Sequence, residues 1–347
     1  MKIIYSNKHS QHDPPYEIYD GRREPYAEKA ERITSILRAL KESGLTVFFP
    51  PKHFSIKHIH DIHQKEYVSF LRKRSAQLKQ SQVLYPSYFI MDTYTPITNK
   101  TYTAAKTAVD VVLTGAKYLL QGEQTVYALC RPPGHHAGHK TMGGYCYFNN
   151  AAIAANYLSE HGKVAILDID FHHGNGTQSI FYDRSDVFYI SIHADPHIKF
   201  PYSSGFANEQ GSDEGLGFNK NFPLPLETTN AQYMCVLKQT LKRIQVFNPS
   251  FLVISAGFDT YEKDPIGGFK LTIPFYEKIS QEIFKLKLPA LIVQEGGYNI
   301  EDLGKIALSF LKGIDRILKT QLRSKDNDSE FYKANQKTSK KTKKTPI

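Results

Sequence analysis

Lys163-Val-Ala-Ile-Leu-Asp168-Ile-Asp170 runs straight into Phe171-His172-His173-Gly174-Asn175-Gly176, and the rest of the chain is read outward from this stretch. Its first half is apolar without strict alternation, as a strand covered on both faces requires. Its second half is polar and glycine-bearing, the composition of a turn. Thr125–Cys130, Asp186–His193, Phe251–Gly257 and Ala290–Gly296 repeat the pattern. Helical stretches lie between them. Thr103–Leu120 places Ala104, Ala108, Val111, Val112, Ala116 and Leu119 near a 3.6-residue period. Asn150–Glu160, Asn230–Phe247 and Pro274–Lys285 also read as helices, as does Glu301–Leu318, with Leu303, Ile306, Phe310 and Ile314 in register. Strand alternating with helix predicts an α/β fold with a parallel sheet built from right-handed crossovers. Gly205–Pro225 and residues 81–101 read as loops. With no internal repeat and no mid-chain linker, one domain over residues 1–320 is expected, followed by a basic tail over residues 321–347.

A chain of 347 residues can bury about three-quarters of its unfolded surface and needs no disulfide staples. Its 41% hydrophobic and 22% charged residues exclude a disordered or fibrous chain. No run reaches the roughly 18 apolar residues of a membrane helix, and Met1–Ser10 turns polar too soon for a signal peptide. A cytoplasmic protein with no membrane partner is expected. Cys130, Cys146 and Cys235 form no CxxC, which suits a reducing compartment and argues against a thiolate metal site. Of the net charge of +10, six charges belong to Lys333, Lys337, Lys340, Lys341, Lys343 and Lys344, with no acid among residues 333–347. The excess is therefore a solvated, disordered tail rather than a basic groove, and contact with nucleic acid is expected to be weak.

Ligands of open α/β sheets bind beyond the carboxyl ends of the strands. Five strand ends here each deliver a metal-ligand or acid–base residue type: His135-His136 after Arg131-Pro-Pro-Gly134, then Asp170 and His172, then His193, then Asp259, then Glu295-Gly296-Gly297-Tyr298. Along a strand, positions i and i+2 project to the same side, so Asp170 and His172 can meet one cation. Asp259 is the best acid at another strand end to complete the set. Two carboxylates and one imidazole leave positions open for water and substrate, as a catalytic metal requires. Asp168 and Asn175 are available to orient the His135 and His136 imidazoles. Gly296-Gly297 lets the chain turn so that Tyr298 can carry its hydroxyl over a carbonyl.

Other clusters read as structural. His58-x-His60-x-x-His63 lies beside Lys57 and Lys65 and not after a strand, so a surface or packing role is expected. His9 and His12 precede Asp13-Pro14-Pro15 and belong to an N-terminal loop. Cys146 sits near the site with no evident base and reads as packing.

Arg131-Pro-Pro-Gly-His-His-Ala137, Gly143-Gly-Tyr-Cys-Tyr-Phe-Asn-Asn150, Asp168-Ile-Asp-Phe-His-His-Gly-Asn-Gly176, Ser255-Ala-Gly-Phe-Asp259 and Glu295-Gly-Gly-Tyr298 resemble, in order, the motifs of the zinc-dependent histone deacetylase superfamily. Met91-Asp-Thr-Tyr-Thr-Pro-Ile-Thr98, Leu120-Gln-Gly-Glu123 and Phe206-Ala-Asn-Glu209 look closest to its bacterial acetylpolyamine amidohydrolase branch. The resemblance implies an arginase/deacetylase-like single domain whose central parallel sheet has about eight strands flanked by helices. It implies Zn²⁺ on Asp170, His172 and Asp259, with Fe²⁺ or Co²⁺ acceptable to the same donors. His135 and His136 would be the tandem histidines, His136 the general base, and Tyr298 the donor to the carbonyl. Gly144, Tyr145, His193 and Ile266 would border the substrate. A structural K⁺ would sit near Asp168, Asp170, His172, Ser191 and Ile192.

Two positions depart from parts of that family. Asn175 stands where many histone-type members carry Asp beside the base histidine. Ile266 stands where one polyamine-selective animal relative carries a glutamate. Attraction of a cationic substrate would then fall to other acids, such as Glu17, Asp20 or Asp92. The reading is a metal-dependent deacetylase of small acetylated amines, releasing amine and acetate. A protein acetyl-lysine deacetylase and a non-catalytic acyl-ligand scaffold stay open as alternatives. A binuclear ureohydrolase would need bridging carboxylates that the sequence does not supply. Residues 81–101 would reshape the site mouth or pair two subunits as a homodimer.

Overall fold

All five apolar runs become parallel strands, and three further strands join them. In the computed structural model, which describes residues 1–44 and 47–318, the strands are β1 (Lys2–Tyr5), β2 (Tyr16–Tyr19), β3 (Arg22–Pro25), β4 (Val47–Phe49), β5 (Thr125–Leu129), β6 (Val164–Asp168), β7 (Val187–Ala194), β8 (Asn219–Leu224), β9 (Phe251–Ala256) and β10 (Ala290–Gln294). Eight of them form one sheet in the order β4-β1-β5-β10-β9-β6-β7-β8, every pairing parallel, while β2 and β3 make a separate antiparallel hairpin. The basic tail lies outside the described residues.

The absence of strict alternation has its cause in two cores. Along β10, Ala290 and Ile292 enter one core while Leu291 and Val293 enter the other, and β5, β6 and β9 divide in the same way. Helices Glu31–Ser43, Asn230–Phe247, Ile273–Phe284 and residues 300–318 cover one face. Lys65–Gln77, Thr101–Leu120, Asn150–Ser159 and Asn175–Phe181 cover the other. Ile292 is fully buried between the layers, where truncation to alanine costs about 2–5 kcal/mol. Side-chain capping opens two of the helices. Thr229 and Gln232 form a reciprocal capping box at Asn230–Phe247, and Asn149 accepts from the Ala152 N–H at 2.9 Å to open Asn150–Ser159.

One expectation needs correction. Gly205–Pro225 is not a loop throughout, because Asn219–Leu224 within it forms β8, the sheet edge beside β7. Its inward positions Asn219 and Asn221 are polar, and both donate to Gln178 Oε1, at 3.0 and 2.7 Å. A strand that buries amides instead of aliphatics leaves no apolar run to read.

Candidate active site

Asp170 and His172 come together by a turn rather than by strand pleating, which corrects the expected geometry. β6 ends at Asp168, and the His172 N–H donates to Asp170 Oδ1 at 2.9 Å, closing a side-chain-capped turn. Asp259 arrives from the turn after β9. His172 Nδ1 lies 2.9 Å from Asp259 Oδ2 and 3.5 Å from Asp170 Oδ1, and one ligand atom from each of the three residues lies within 4.8 Å of the others. Backbone N–H groups fix both carboxylates: Gly296 donates to Asp170 Oδ2 at 2.8 Å and Phe171 to Asp259 Oδ1 at 2.9 Å.

Two buried carboxylates around one imidazole require positive charge. Burial and the Asp170 charge push the Asp259 carboxyl up to about 7. Burial also acts on Asp170, but His135 and His172 outweigh it and hold that carboxyl below the usual range. Burial opposes the charge on His172, yet its bonds to Asp170 and Asp259 push it up to about 9. A divalent cation meets the same demand, and the mixed oxygen and nitrogen donors fit Zn²⁺, Fe²⁺ or Co²⁺. His135, Cys146 and Glu295 also approach one another. Burial raises the Cys146 thiol well above its ordinary value, which keeps it a neutral and poor ligand.

The tandem histidines occupy different electrostatic positions. His135 Nδ1 lies 3.1 Å from Asp168 Oδ2, and His136 Nδ1 lies 2.7 Å from Asn175 Oδ1. Burial disfavours charge on both rings. For His135 the Asp170 and Asp168 carboxylates prevail and push it up to about 10. For His136 the neighbouring His135 and His172 add to burial and drive it well below 6.5. With Nδ1–H donated to the Asn175 amide oxygen, His136 keeps a free lone pair on Nε2. Gly144 allows this ring its place: a Cβ there would stand 2.1 Å from His136 Cδ2, and its φ is +54°.

His136, His172, Gly144, Tyr145, Ile266 and Tyr298 all border one cavity of about 600 Å³, together with Phe200, Tyr94, Glu17 and Glu24. Gly297, at φ +114°, turns the chain so that Tyr298 faces Tyr145, with ring centroids 5.7 Å apart. The Tyr298 N–H donates to Asp264 Oδ2 at 2.6 Å, and the Arg32 guanidinium sits 4.7 Å from the Tyr298 ring centroid. Burial raises the phenol well above its ordinary value, so its proton is available for donation.

The histone deacetylase domain matches residues 26–314. This chain belongs to the histone deacetylase family. Within that family it is 38% identical over 345 residues to acetylpolyamine amidohydrolase 2 of Pseudomonas aeruginosa, covering 91% of this chain and 99% of the relative. It is 37% identical over 339 residues to the acetylpolyamine amidohydrolase of Mycoplana ramosa, covering 90% and 99%. The crystal structure of the Burkholderia pseudomallei acetylpolyamine aminohydrolase superposes with a TM-score of 0.88 at 35% identity, over 91% of this chain and 99% of that one. The architecture is thus the arginase/deacetylase fold expected of the family. No helix among the described residues is long and apolar enough to cross a membrane.

Against the family expectation, His193 does not border the cavity. It is fully buried, with Ser191 Oγ 2.7 Å from Nδ1 and the Gly205 carbonyl 2.8 Å from Nε2, so it holds a loop rather than a substrate. Ser191 pairs in register with Asp168, and Ile192 is buried beside it. Of the three candidate acids, only Glu17 lines the cavity. Asp92 lies behind it, accepting from the Gly144 N–H at 2.5 Å, and Asp20 sits at the β2–β3 turn. His63 is structural, as expected: its Nε2 accepts from the Asn149 N–H at 2.9 Å and its Nδ1 donates to the Gly138 carbonyl at 2.8 Å. His12 is buried among Tyr26, Tyr147, Thr98 and Thr101. Sequence reasoning missed Phe200, whose ring meets His136 at 4.8 Å, and Glu24 on the exposed hairpin. A lone phenylalanine before proline carries no signal. It also missed Glu28, Arg32 and the buried role of Arg131.

Proposed function

We propose that this chain is a metal-dependent amidohydrolase that removes acetate from small acetylated amines, acetylpolyamines first among them. One observation carries the reading: His172 of the Asp170–His172–Asp259 group, His136 and Tyr298 line one cavity whose wall also holds the buried carboxyl of Glu17. The acetylpolyamine amidohydrolases named above support the choice of amine.

A divalent ion on those three ligands, Zn²⁺ in the first instance, supplies Lewis acidity that makes water a better nucleophile and the amide a better electrophile. The chain's own groups do the rest. His136 Nε2 takes a proton from water as its oxygen bonds to the carbonyl carbon. The Tyr298 hydroxyl donates to the oxygen that gains negative charge. The carbon–nitrogen bond then breaks, and the proton held by His136 passes to the departing nitrogen, giving amine and acetate. Asp168 orients the His135 ring through Nδ1. Tyr145 and Phe200, both on the cavity wall, would flank the alkyl chain of the amine. Ser191 and Ile192, with Asp168, Asp170 and His172, would hold K⁺ as a structural ion.

Acetylputrescine, acetylspermidine and an acetyl-lysine peptide assayed side by side test the reading. The expected result is a kcat/KM at least tenfold higher for the acetylated amines. A preference for the peptide would replace the polyamine assignment with a protein deacetylase, and no turnover of any of the three would remove the enzyme reading.

A further inference from the structure

Three charged side chains lie beneath the cavity in complete burial: Glu28, Arg32 and Arg131 are 0%, 1% and 1% exposed. They come from different parts of the chain. Arg131 opens the turn that carries His135 and His136. Arg32 stands in the first turns of helix Glu31–Ser43, and Glu28 precedes that helix. A single oxygen, Glu28 Oε1, accepts from both arginines, from Arg32 Nη1 at 2.5 Å and from Arg131 Nε at 2.8 Å.

The remaining donors of Arg32 reach the turn that carries Tyr298, and those of Arg131, which itself opens the histidine turn, reach the N-terminal loop and the Glu28 backbone. Arg32 Nε donates to the Gly297 carbonyl at 2.5 Å and Nη2 to the Glu295 carbonyl at 2.6 Å, so the guanidinium grips the carbonyls on either side of Gly296, and its Cζ lies 4.7 Å from the Tyr298 ring centroid. Arg131 Nη2 donates to the Glu28 carbonyl at 2.5 Å, and Nη1 to the carbonyls of His9 and His12 at 2.8 and 2.5 Å. A guanidinium offers its donors in a rigid planar fork, so fixing one donor fixes the others. The Glu28 carboxylate offsets the repulsion between the two buried guanidinium groups it joins, with Asp13 Oδ1 a further 3.6 Å from Arg131 Nη2.

We propose that Glu28 is a positioning residue that registers the Tyr298 turn against the histidine turn, through Arg32 on one side and Arg131 on the other. The proposal rests on the reading that His136 and Tyr298 perform the chemistry, since it assigns Glu28 no contact with substrate. A second strap exists: Glu295 Oε2 accepts from the Gly134 and His135 N–H groups at 2.6 and 3.3 Å. That strap joins the turns close to the metal group and is independent of Glu28, so loss of Glu28 is expected to shift Tyr298 without unfolding the chain. A displacement of about 1 Å at a reacting group is enough to lower turnover on the order of 100-fold.

Glu28→Gln keeps the shape and removes the charge, whereas Glu28→Asp keeps the charge and shortens the reach. Both are to be compared with the full-length, metal-loaded chain on acetylputrescine, alone and combined with Tyr298→Phe. The expected result is a kcat lowered about 10- to 100-fold in Glu28→Gln. KM and metal content should stay unchanged, Glu28→Asp should be partly restored, and the loss should be smaller when Tyr298 is already Phe. Amide hydrogen exchange should quicken together in residues 131–136 and 295–299. Near wild-type kcat in both variants, a loss that multiplies independently with that of Tyr298→Phe, or exchange that quickens in one turn only would each overturn the proposal. Should Glu28→Gln fail to fold, Glu28→Asp carries the same kinetic and exchange comparisons. The exchange measurement needs no substrate, so it decides the coupling even if acetylated amines prove not to be hydrolysed.

Discussion

The Tyr145 hydroxyl donates to Glu17 Oε1 at 3.1 Å, and the Ala27 N–H donates to Oε2 at 3.0 Å, so a carboxyl of the β2–β3 hairpin is fixed against a wall of the reactive cavity. Both oxygens have a donor and, among the described residues, neither is paired with a cation, which leaves the charge available to a protonated amine. A charge-assisted contact of this kind is worth about 1.5–3 kcal/mol. Glu17→Gln is therefore expected to raise KM for acetylputrescine roughly tenfold or more, with little effect on an uncharged N-alkylacetamide. Equal losses on both substrates would remove Glu17 from amine recognition.

The same carboxyl gives a pH dependence with a definite sign. Burial pushes Glu17 up to about 7, against a small lowering by its hydrogen bonds to Ala27 and Tyr145. Below that value the group is neutral and attracts no ammonium. The ratio of kcat/KM for acetylputrescine to that for the uncharged amide should fall as pH drops from 8 to 6, and Glu17→Gln should flatten it. A ratio constant across this range in the wild-type chain would contradict the assignment.

Tyr298→Phe should leave metal content unchanged and reduce kcat on the order of 100- to 1,000-fold, the usual cost of losing one donor to a developing oxyanion. Metal analysis beside steady-state kinetics checks both parts. Retention of near-full activity would mean that another group faces the carbonyl.

Asp259→Asn removes one of two carboxylates that the fold has brought within reach of His172. The expected outcome is a chain that folds but retains far less divalent metal after dialysis against a weak chelator, measured by elemental analysis. Stripping the wild-type chain with a strong chelator should abolish turnover, and returning Zn²⁺ should restore it. Activity indifferent to chelation would end the metal-dependent reading.

His63 offers a test of stability. Burial holds its imidazole down at about 3, below the ordinary 6.5, so it is neutral in the folded chain while the unfolded chain can bind a proton. Its contribution is present above pH 6.5 and is lost as pH falls toward 3, a change of roughly 5 kcal/mol over that window. His63→Gln should lower Tm near neutral pH but show a shallower fall of Tm with acid. Parallel curves would show that His63 is not the responsible group.

Much of this was legible in the sequence because the strand ends carry both the pattern and the chemistry. Val164–Asp168 and Phe251–Ala256 are apolar enough to be read as buried strands, and the polar residues that follow them supply Asp170, His172 and Asp259. What escaped notice lacks a local signature. β8 buries Asn219 and Asn221 in a hydrogen-bonded network, so hydrophobicity says nothing about it. Glu28 and Arg131 are 103 residues apart and meet only in three dimensions. Glu17 was one of three equivalent acids until the hairpin turned it toward Tyr145 and left Asp20 at its tip. His193 had the right residue type at a strand end, but a side chain inside the final strand positions points into the core, whereas those beyond the strand are free to line a cleft.

The strand order has a consequence for how such a protein can diversify. The histidine turn, the Tyr298 turn, Asp259 and the Asp170–His172 turn follow β5, β10, β9 and β6, four consecutive neighbours in the sheet. At about 4.8 Å per interval, the proposed reactive centre spans roughly 14 Å, a dimension ruled by backbone hydrogen bonding. Its breadth is therefore inherited and hard to retune one residue at a time. The antiparallel hairpin bearing Glu17 and the segment bearing Asp92 sit outside that ladder, so appetite for a different amine can change there while the machinery underneath keeps its gauge.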